Sequence, residues 1–477
     1  MVIMVKLFKA LLLVTLLGLW SLPAFSTSVN VMGPLWLDTQ AQWRDFKNDL
    51  QTAKKMGIEA VTVDVWWGAV ENEGDQMFDW SYYDNIFSAI TSAGLQIIPI
   101  MSFHQCGGNV GDSCDVPIPN WIWQHYTNEN TGQSEHLKAQ ALKPTDLMYK
   151  SEQGNYSNEY VSLWADNLVI PQYIEFMSAF ESHYAHMAVN FDELNISMGP
   201  AGELRYPSYN SHDTNTGYPT RGAFQSFGLL AISDFQQSIL SKYQSLSNIN
   251  KAWQTSYTAL EQIELPKHMD TFVTTGQHLN STYGLDILDW YHQSLMKHGD
   301  RLITAAQRGF SKAFKNIDLG YKVPGIHWLM AAPSHLARAA ELSAGVISAE
   351  FRSKLNNKGV GHGYKAAIGL AAKHSTTERQ VILHFTCLEM SDNPVSPSFS
   401  LAKTLVSWVG KEAKRQGVTV KGENALAAGT SSQTGWNNIT DALMNDGYGG
   451  ITILRLNDVV NGLANTQYPK LINKLND

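Results

Sequence analysis

Apolar residues fall along this chain in two alternating rhythms: short, nearly continuous runs rich in Val and Ile, and between them apolar positions three and four residues apart. The first rhythm suits a strand covered on both faces, the second one face of a helix. VNVMGPL at 29–35 opens the series; Trp43, Phe46, Leu50 and Ala53 follow at helical spacing, and Gly57 stops that helix. IEAVTVDVWW (58–67), LQIIPIMSFHQ (95–105), ELNISMG (193–199), KVPGIHW (322–328), QVILHFTCLEM (380–390), GVTVKGENAL (417–426) and GGITILRLND (449–458) continue it. Leu288, Tyr291, Leu295, Leu302 and Ala306 trace a helix leading into the fifth run. Eight strands separated by helices are what a closed barrel needs, so the sequence predicts an α/β fold, a (β/α)8 TIM barrel. The segments after the third and fourth runs are too long for simple barrel loops, and predict a smaller lobe of long loops at the C-terminal face of the strands. No repeat or linker interrupts 27–477, which reads as a single domain.

The first residues do not belong to this pattern. Lys6 and Lys9 precede an apolar run from Ala10 to about Leu22, and Ala24-Phe25-Ser26 fits a small-x-small cleavage site. Residues 1–26 are thus expected to be a signal peptide, with the mature chain secreted or periplasmic and free of the membrane. The formal net charge of −8 argues against nucleic acid as a partner. Of three cysteines, Cys106 and Cys114 flank a Gly-rich loop and form the natural disulfide, leaving Cys387 as a buried thiol in an apolar run.

Polar and aromatic residues gather at the ends of the runs: Asp64 with Trp66 and Trp67, His104, His327, Thr386 with Glu389, Glu423 and Arg455. In a barrel of this kind the strand C-termini carry the site. At least one of the two adjacent tryptophans is expected in the core. Beyond the fourth run, GPAGELRYPSY (199–209) places Glu203 at a loop apex, where Gly199, Pro200 and Gly202 force a turn and allow close backbone approach. Alone, Glu203 beside Arg205 is as readily a structural ion pair as a catalyst. Glu423 at the end of the seventh run shifts the balance, because two carboxylates across a cleft are what glycosidic cleavage requires: one protonated, one ionised.

HQCGGNVGDSC (104–114) lacks the order of a phosphate-binding loop. A thiol nucleophile at Cys106 is removed by pairing with Cys114. What remains is a Gly-rich lid presenting Asp112 to a sugar hydroxyl, or a plain surface loop. Glutamates on strands four and seven also mark retaining barrel glycosidases, whose acid usually follows Asn, whereas Gly202 precedes Glu203 here. A catalytically silent glucan-binding protein on the same fold is the rival from another class.

VDVWWG, SFHQCGGNVGD, GPAGELRYPSY, GIHW, FTCLEM and GENAL, in this order, resemble the β-amylases, glycoside hydrolase family 14, and the match runs across essentially the whole mature chain, in its bacterial form. The resemblance implies exo-acting, inverting hydrolysis of α-1,4-glucan from non-reducing ends with release of β-maltose. It implies Glu203 as general acid and Glu423 as general base, with carboxyl groups about 6.5 to 9.5 Å or more apart to admit a water. Asp64, His104 and Asp112 would hold the terminal glucose; Lys322, His327, Asn424 and Arg455 would line the subsites, with Thr386 between them. The implied partners are starch and maltooligosaccharides, acted on by a monomer. Catalysis would need no cofactor. Glu71, Asp75, Gln76 and Glu175 resemble the calcium ligands of some bacterial members, with Gln172 where a carboxylate is expected. The chain ends at Asp477 soon after the eighth run, so no C-terminal starch-binding module is expected.

Overall fold

A computed structural model describes residues 27–476, except 108–112, 128–140, 211, 218–221, 329–339, 348–362, 397 and 399. Residues 1–26, expected to be a signal peptide, the body of the Gly-rich loop and Asp112 therefore lie outside the described residues. Eight parallel strands close on each other in chain order: β1 (Ser28–Met32), β2 (Ala60–Trp66), β3 (Gln96–Ser102), β4 (Leu194–Ile196), β5 (Leu319–Val323), β6 (Val381–Phe385), β7 (Val420–Glu423) and β8 (Gly450–Ile453). β8 returns to β1 with Ser28 opposite Gly450. Each run predicted from the sequence overlaps one of these strands.

Helices cover the outside: α1 (Gln40–Met56), α2 (Ser81–Ser92), α3 (Asp166–Tyr184), α4 (Thr282–Gly309), α5 (Lys365–His374), α6 (Ala402–Gln416), α7 (Gln433–Asn445) and α8 (Ala464–Asn476). α1 shows how local sequence sets them. The Thr39 hydroxyl accepts from the Gln42 N–H at 3.2 Å while the Gln42 side chain accepts from the Thr39 N–H at 2.9 Å, a reciprocal cap. Phe46, Leu50, Ala53 and Met56 are its buried stripe, and Gly57 ends it at φ 91°.

The strands stop short of the apolar runs at their C-terminal ends, because those ends leave the barrel to become site loops. The fifth differs most: it spans Leu319–Val323 rather than 322–328. Pro324 has no N–H for the ladder and ends the pairing, while Leu319, Gly320 and Tyr321 pair with Val381, Ile382 and Leu383. Trp67, with no exposed surface, packs edge-on against Phe103, Trp121 and Tyr173 and is the core member of its pair.

Residues aligned across a parallel ladder share a face. Lys322, His384 and Lys421 form one such row, and Glu423 pairs with Thr452 on the next strand. Just before β4, the fully buried Glu193 accepts from His384 Nε2 and, at 2.8 Å, from Lys421 Nζ. Burial alone would raise its carboxyl, but Lys421 and His384 hold it down at about 2. The long connections after β3 and β4 carry an antiparallel ribbon, Tyr149–Lys150 with Tyr156–Ser157, and helices at Leu229–Tyr243 and Leu246–Trp253. They form the predicted lobe.

Candidate active site

A cavity of about 160 Å³ opens where the strands end, and both glutamates line it together with Asp64, His104 and Lys322. Thr386, Asn424, Arg455 and Trp66 complete its polar wall. Nine of the residues singled out in the sequence thus converge from the ends of seven strands. His327 is not in that wall: its ring is stacked on Trp328 at 4.9 Å and its Nδ1 meets the Ser400 hydroxyl at 2.7 Å.

Glu203 stands just after a one-turn helix, Pro200–Gly202, in which Ala201 takes φ 57°. Leu204 donates to the Lys322 carbonyl at 2.8 Å, which ties the loop to β5. The carboxylate accepts from Arg205 Nε at 2.8 Å, so the ion pair suggested by sequence exists inside the cavity wall. Burial raises the Glu203 carboxyl above its ordinary range; Arg205 and then Lys322 oppose the rise, and Glu423 adds to it. Gly202 serves a purpose the sequence did not disclose. At φ +77°, a Cβ there would meet His104 Cε1 at 3.3 Å, so the glycine makes room for a site histidine rather than for a ligand.

Glu423, the last residue of β7, takes the Lys322 ammonium at 2.7 Å. Its following loop is fixed by Glu389, whose buried carboxylate accepts from the Ala425 and Leu426 N–H groups, each at 3.0 Å. Asn424 is fully buried, its Oδ1 accepting from Leu454 N at 2.8 Å, and so joins β7 to the loop bearing Arg455. Arg455 lies 4.0 Å from Asp64, whose other oxygen accepts from Ser102 at 2.9 Å.

His104 is buried, with Nδ1 on the Ser197 hydroxyl at 2.8 Å and the Trp66 ring edge-on at 5.1 Å. Burial lowers it to about 4 against the pull of Asp64, helped by Lys322 and Arg205, so it is a neutral imidazole at pH 7. Burial lowers His327 likewise, to about 4. Sequence reasoning missed Ser197, Ser400 and the role of Glu389. Cys106 and Cys114 form the expected disulfide, with Cα atoms 5.7 Å apart, and Cys387 is a buried free thiol.

At the residues that resemble calcium ligands, Glu71 already accepts from Trp67 Nε1 at 2.6 Å and Gln76 N at 2.7 Å. Burial, opposed by those bonds and reinforced by Asp75 and Glu175, pushes its carboxyl up to about 7. Asp75 Oδ1 and Gln172 Oε1 are buried with no hydrogen-bond partner. Orphaned oxygens among mutually repelling acids are what a hard cation relieves, so the donor chemistry fits calcium. Among the described residues, however, no three His, Cys, Asp or Glu groups are drawn together as a ligand set.

Comparison with known proteins agrees with this geometry. The thermophilic β-amylase of Thermoanaerobacterium thermosulfurigenes is 37% identical over 464 residues, covering 96% of this chain and 76% of the relative. The β-amylase of Niallia circulans is 38% identical over 434 residues, 91% of this chain and 67% of its own length. The crystal structure of the catalytic domain of β-amylase from Paenibacillus polymyxa superposes with a TM-score of 0.80 at 36% identity, covering 95% of this chain and 99% of that one. A β-galactosidase from Marinomonas ef1, with a TM-score of 0.54 at 11% identity, shares the fold alone. The family described as glycosyl hydrolase family 14 matches residues 30–475, and the chain belongs to it.

Proposed function

We propose that Glu203 is the general acid and Glu423 the general base of an inverting, exo-acting β-amylase. As a member of glycosyl hydrolase family 14 with β-amylases for relatives, the chain hydrolyses α-1,4-glucosidic bonds of starch and maltooligosaccharides and releases maltose. In the proposed step Glu203 gives its proton to the glycosidic oxygen as the C–O bond breaks. Glu423 takes a proton from a water that attacks the anomeric carbon from the opposite face. The observation that carries this division is that two carboxylates share one cavity in unlike surroundings: burial raises Glu203 despite its guanidinium, while Glu423 has an ammonium at 2.7 Å. Asp64, His104 and Asp112 would grip the terminal glucose, and Lys322, Thr386, Asn424 and Arg455 the neighbouring unit. His327 would serve a subsite outside the cavity. Calcium at Glu71, Asp75, Gln76 and Glu175 would be structural, export is supported by the N-terminal sequence, and the protein would act as a monomer. Among the described residues no helix is long and apolar enough to cross a membrane.

Time-resolved NMR of the products from maltopentaose tests the reading, since it reports bond, end and anomer together. Maltose should appear first as the β-anomer. Glu203→Gln and Glu423→Gln should each lose about 10²–10⁴-fold in turnover while maltose binding remains measurable. α-Maltose as first product, or near-native turnover in either variant, would reject the assignment.

A further inference from the structure

A general acid must hold its proton at working pH, yet Glu203 rests against a guanidinium at 2.8 Å. A cation that close favours the ionised carboxylate by about 1–3 pKa units. The far side of Arg205 shows what tempers it. Nη1 donates to the Tyr206 carbonyl at 3.1 Å and to Asn210 Oδ1 at 2.8 Å, and Asn210 Nδ2 donates in turn to the Glu159 carboxylate. Arg205, Asn210 and Glu159 are all buried, so water does little to screen the charges along this line. Glu159 comes from the lobe, two residues beyond the ribbon, and its carbonyl accepts from Gln105 N at 2.9 Å beside His104, which pins it to the site.

Among the described residues, several other charged or titratable groups lie around this line, the buried Cys387 thiol near Glu203 included. Lys322 and Glu423 act on Glu203, and His104 feels Arg205. The Tyr209 ring lies 4.2 Å from the guanidinium carbon, and His212, paired with Asp213, feels Glu159. Among them Glu159 is the carboxylate placed to share the charge of Arg205 from the side away from Glu203. We propose that Glu159 is a positioning residue which, through Asn210, draws the charge of Arg205 away from Glu203 and lets the acid keep its proton at neutral pH. Two shifts accord with this geometry. Burial would lower Arg205, but Tyr209, Glu203 and Glu159 raise it, and Glu203 stays raised although it touches that cation. The inference rests on Glu203 being the general acid.

The test is the pH profile of kcat/KM for maltopentaose in Glu159→Gln, which keeps an acceptor for Asn210 and removes the charge. With its counter-charge gone, Arg205 favours ionised Glu203, so the alkaline limb should move to lower pH by about half to one unit. Activity should fall about 3- to 10-fold above neutrality and change little on the acid side. Glu159→Asp should restore the limb, and Asn210→Ser, which shortens the relay without removing the charge, should move it in the same direction should Glu159→Gln fail to fold. A limb that stays in place, or a loss by the same factor at every pH, would overturn the proposal. Glu203→Gln measured in parallel separates the two failures: near-native turnover there sinks the acid assignment, whereas lost turnover with an unmoved Glu159→Gln limb sinks only the role of Glu159.

Discussion

Ser197→Ala isolates the hold on His104, the imidazole proposed to contact the sugar. Ser197 has no exposed surface, and its hydroxyl meets His104 Nδ1 at 2.8 Å, with the Gly199 carbonyl 3.5 Å from the same oxygen. In that arrangement the hydroxyl can donate to the carbonyl and accept from Nδ1–H, which leaves Nε2 as a bare acceptor for a sugar hydroxyl. Truncation strands a buried ring nitrogen at a cost of about 1–3 kcal/mol. The ring cannot swing freely, because Trp66 stands 5.1 Å away on one side and the Gly202 turn on the other. We therefore assign about half of that cost to lost substrate binding and the rest to stability. About 1 kcal/mol in binding corresponds to roughly a fivefold rise in KM. Turnover should change less than about twofold, since the imidazole is neutral and takes no proton in the proposed step. Steady-state kinetics on maltopentaose, with Tm measured on the same preparation, read the two parts separately. A lowered Tm with unchanged KM would show that Ser197 only packs, and an equal fall in kcat and kcat/KM would place His104 in the chemistry itself.

Two further outcomes follow from buried titratable groups. His327 has a folded value near 4 against an ordinary 6.5, so its stabilising effect is complete above about 6.5 and is lost as pH falls toward 4, to the extent of about 3 kcal/mol. His327→Asn should flatten the urea-unfolding free energy across that window, and an unchanged slope would refute the buried neutral form. Glu71 is shifted the other way, to about 7, so without metal the folded state gains from the proton it holds below that pH and loses this gain as pH rises through 7. Removing calcium with a chelator should therefore lower Tm more at pH 8 than at pH 5, and a Tm indifferent to calcium and chelator at both pH values would exclude the site.

What the sequence disclosed, and what it withheld, divides by distance along the chain. The barrel was legible because parallel strands covered on both faces are continuous apolar runs, and the helix stripes between them, such as Phe46, Leu50 and Ala53, are equally local. Glu203 and Glu423 were legible because their place at strand ends follows from that same pattern. The strand limits were not, since the apolar character of KVPGIHW continues past the Pro324 stop. Ser197 and His104 are 93 residues apart, Glu389 and Ala425 are 36 apart, and Asn210 and Glu159 are 51 apart. A serine or glutamate in those positions has no local signature, because each acquires its role from a segment that only barrel closure or lobe folding brings near.

The same separation bears on the unlike duties proposed for the two glutamates of one barrel. Each has a cation at nearly the same distance, 2.8 Å for Arg205 and 2.7 Å for Lys322, so the sign of the nearest charge does not distinguish them. The difference lies in the other commitments of those cations. The guanidinium has several donors in a fixed fork and divides them among Glu203, the Tyr206 carbonyl and Asn210, with Glu159 behind. The ammonium is a point charge on a barrel strand, and its hydrogen-bond partner among the described residues is Glu423. A shared guanidinium leaves burial free to raise Glu203, whereas a dedicated ammonium gives Glu423 a partner suited to the base proposed for it. Exchanging the cations by Arg205→Lys should therefore damage the acid more than Lys322→Arg damages the base, because a lysine at 205 cannot reach Glu203 and Asn210 together, while an arginine at 322 still offers Glu423 a positive charge. Comparable losses from the two exchanges, measured as kcat/KM at the pH optimum of each variant, would show that proximity of charge alone sets the roles.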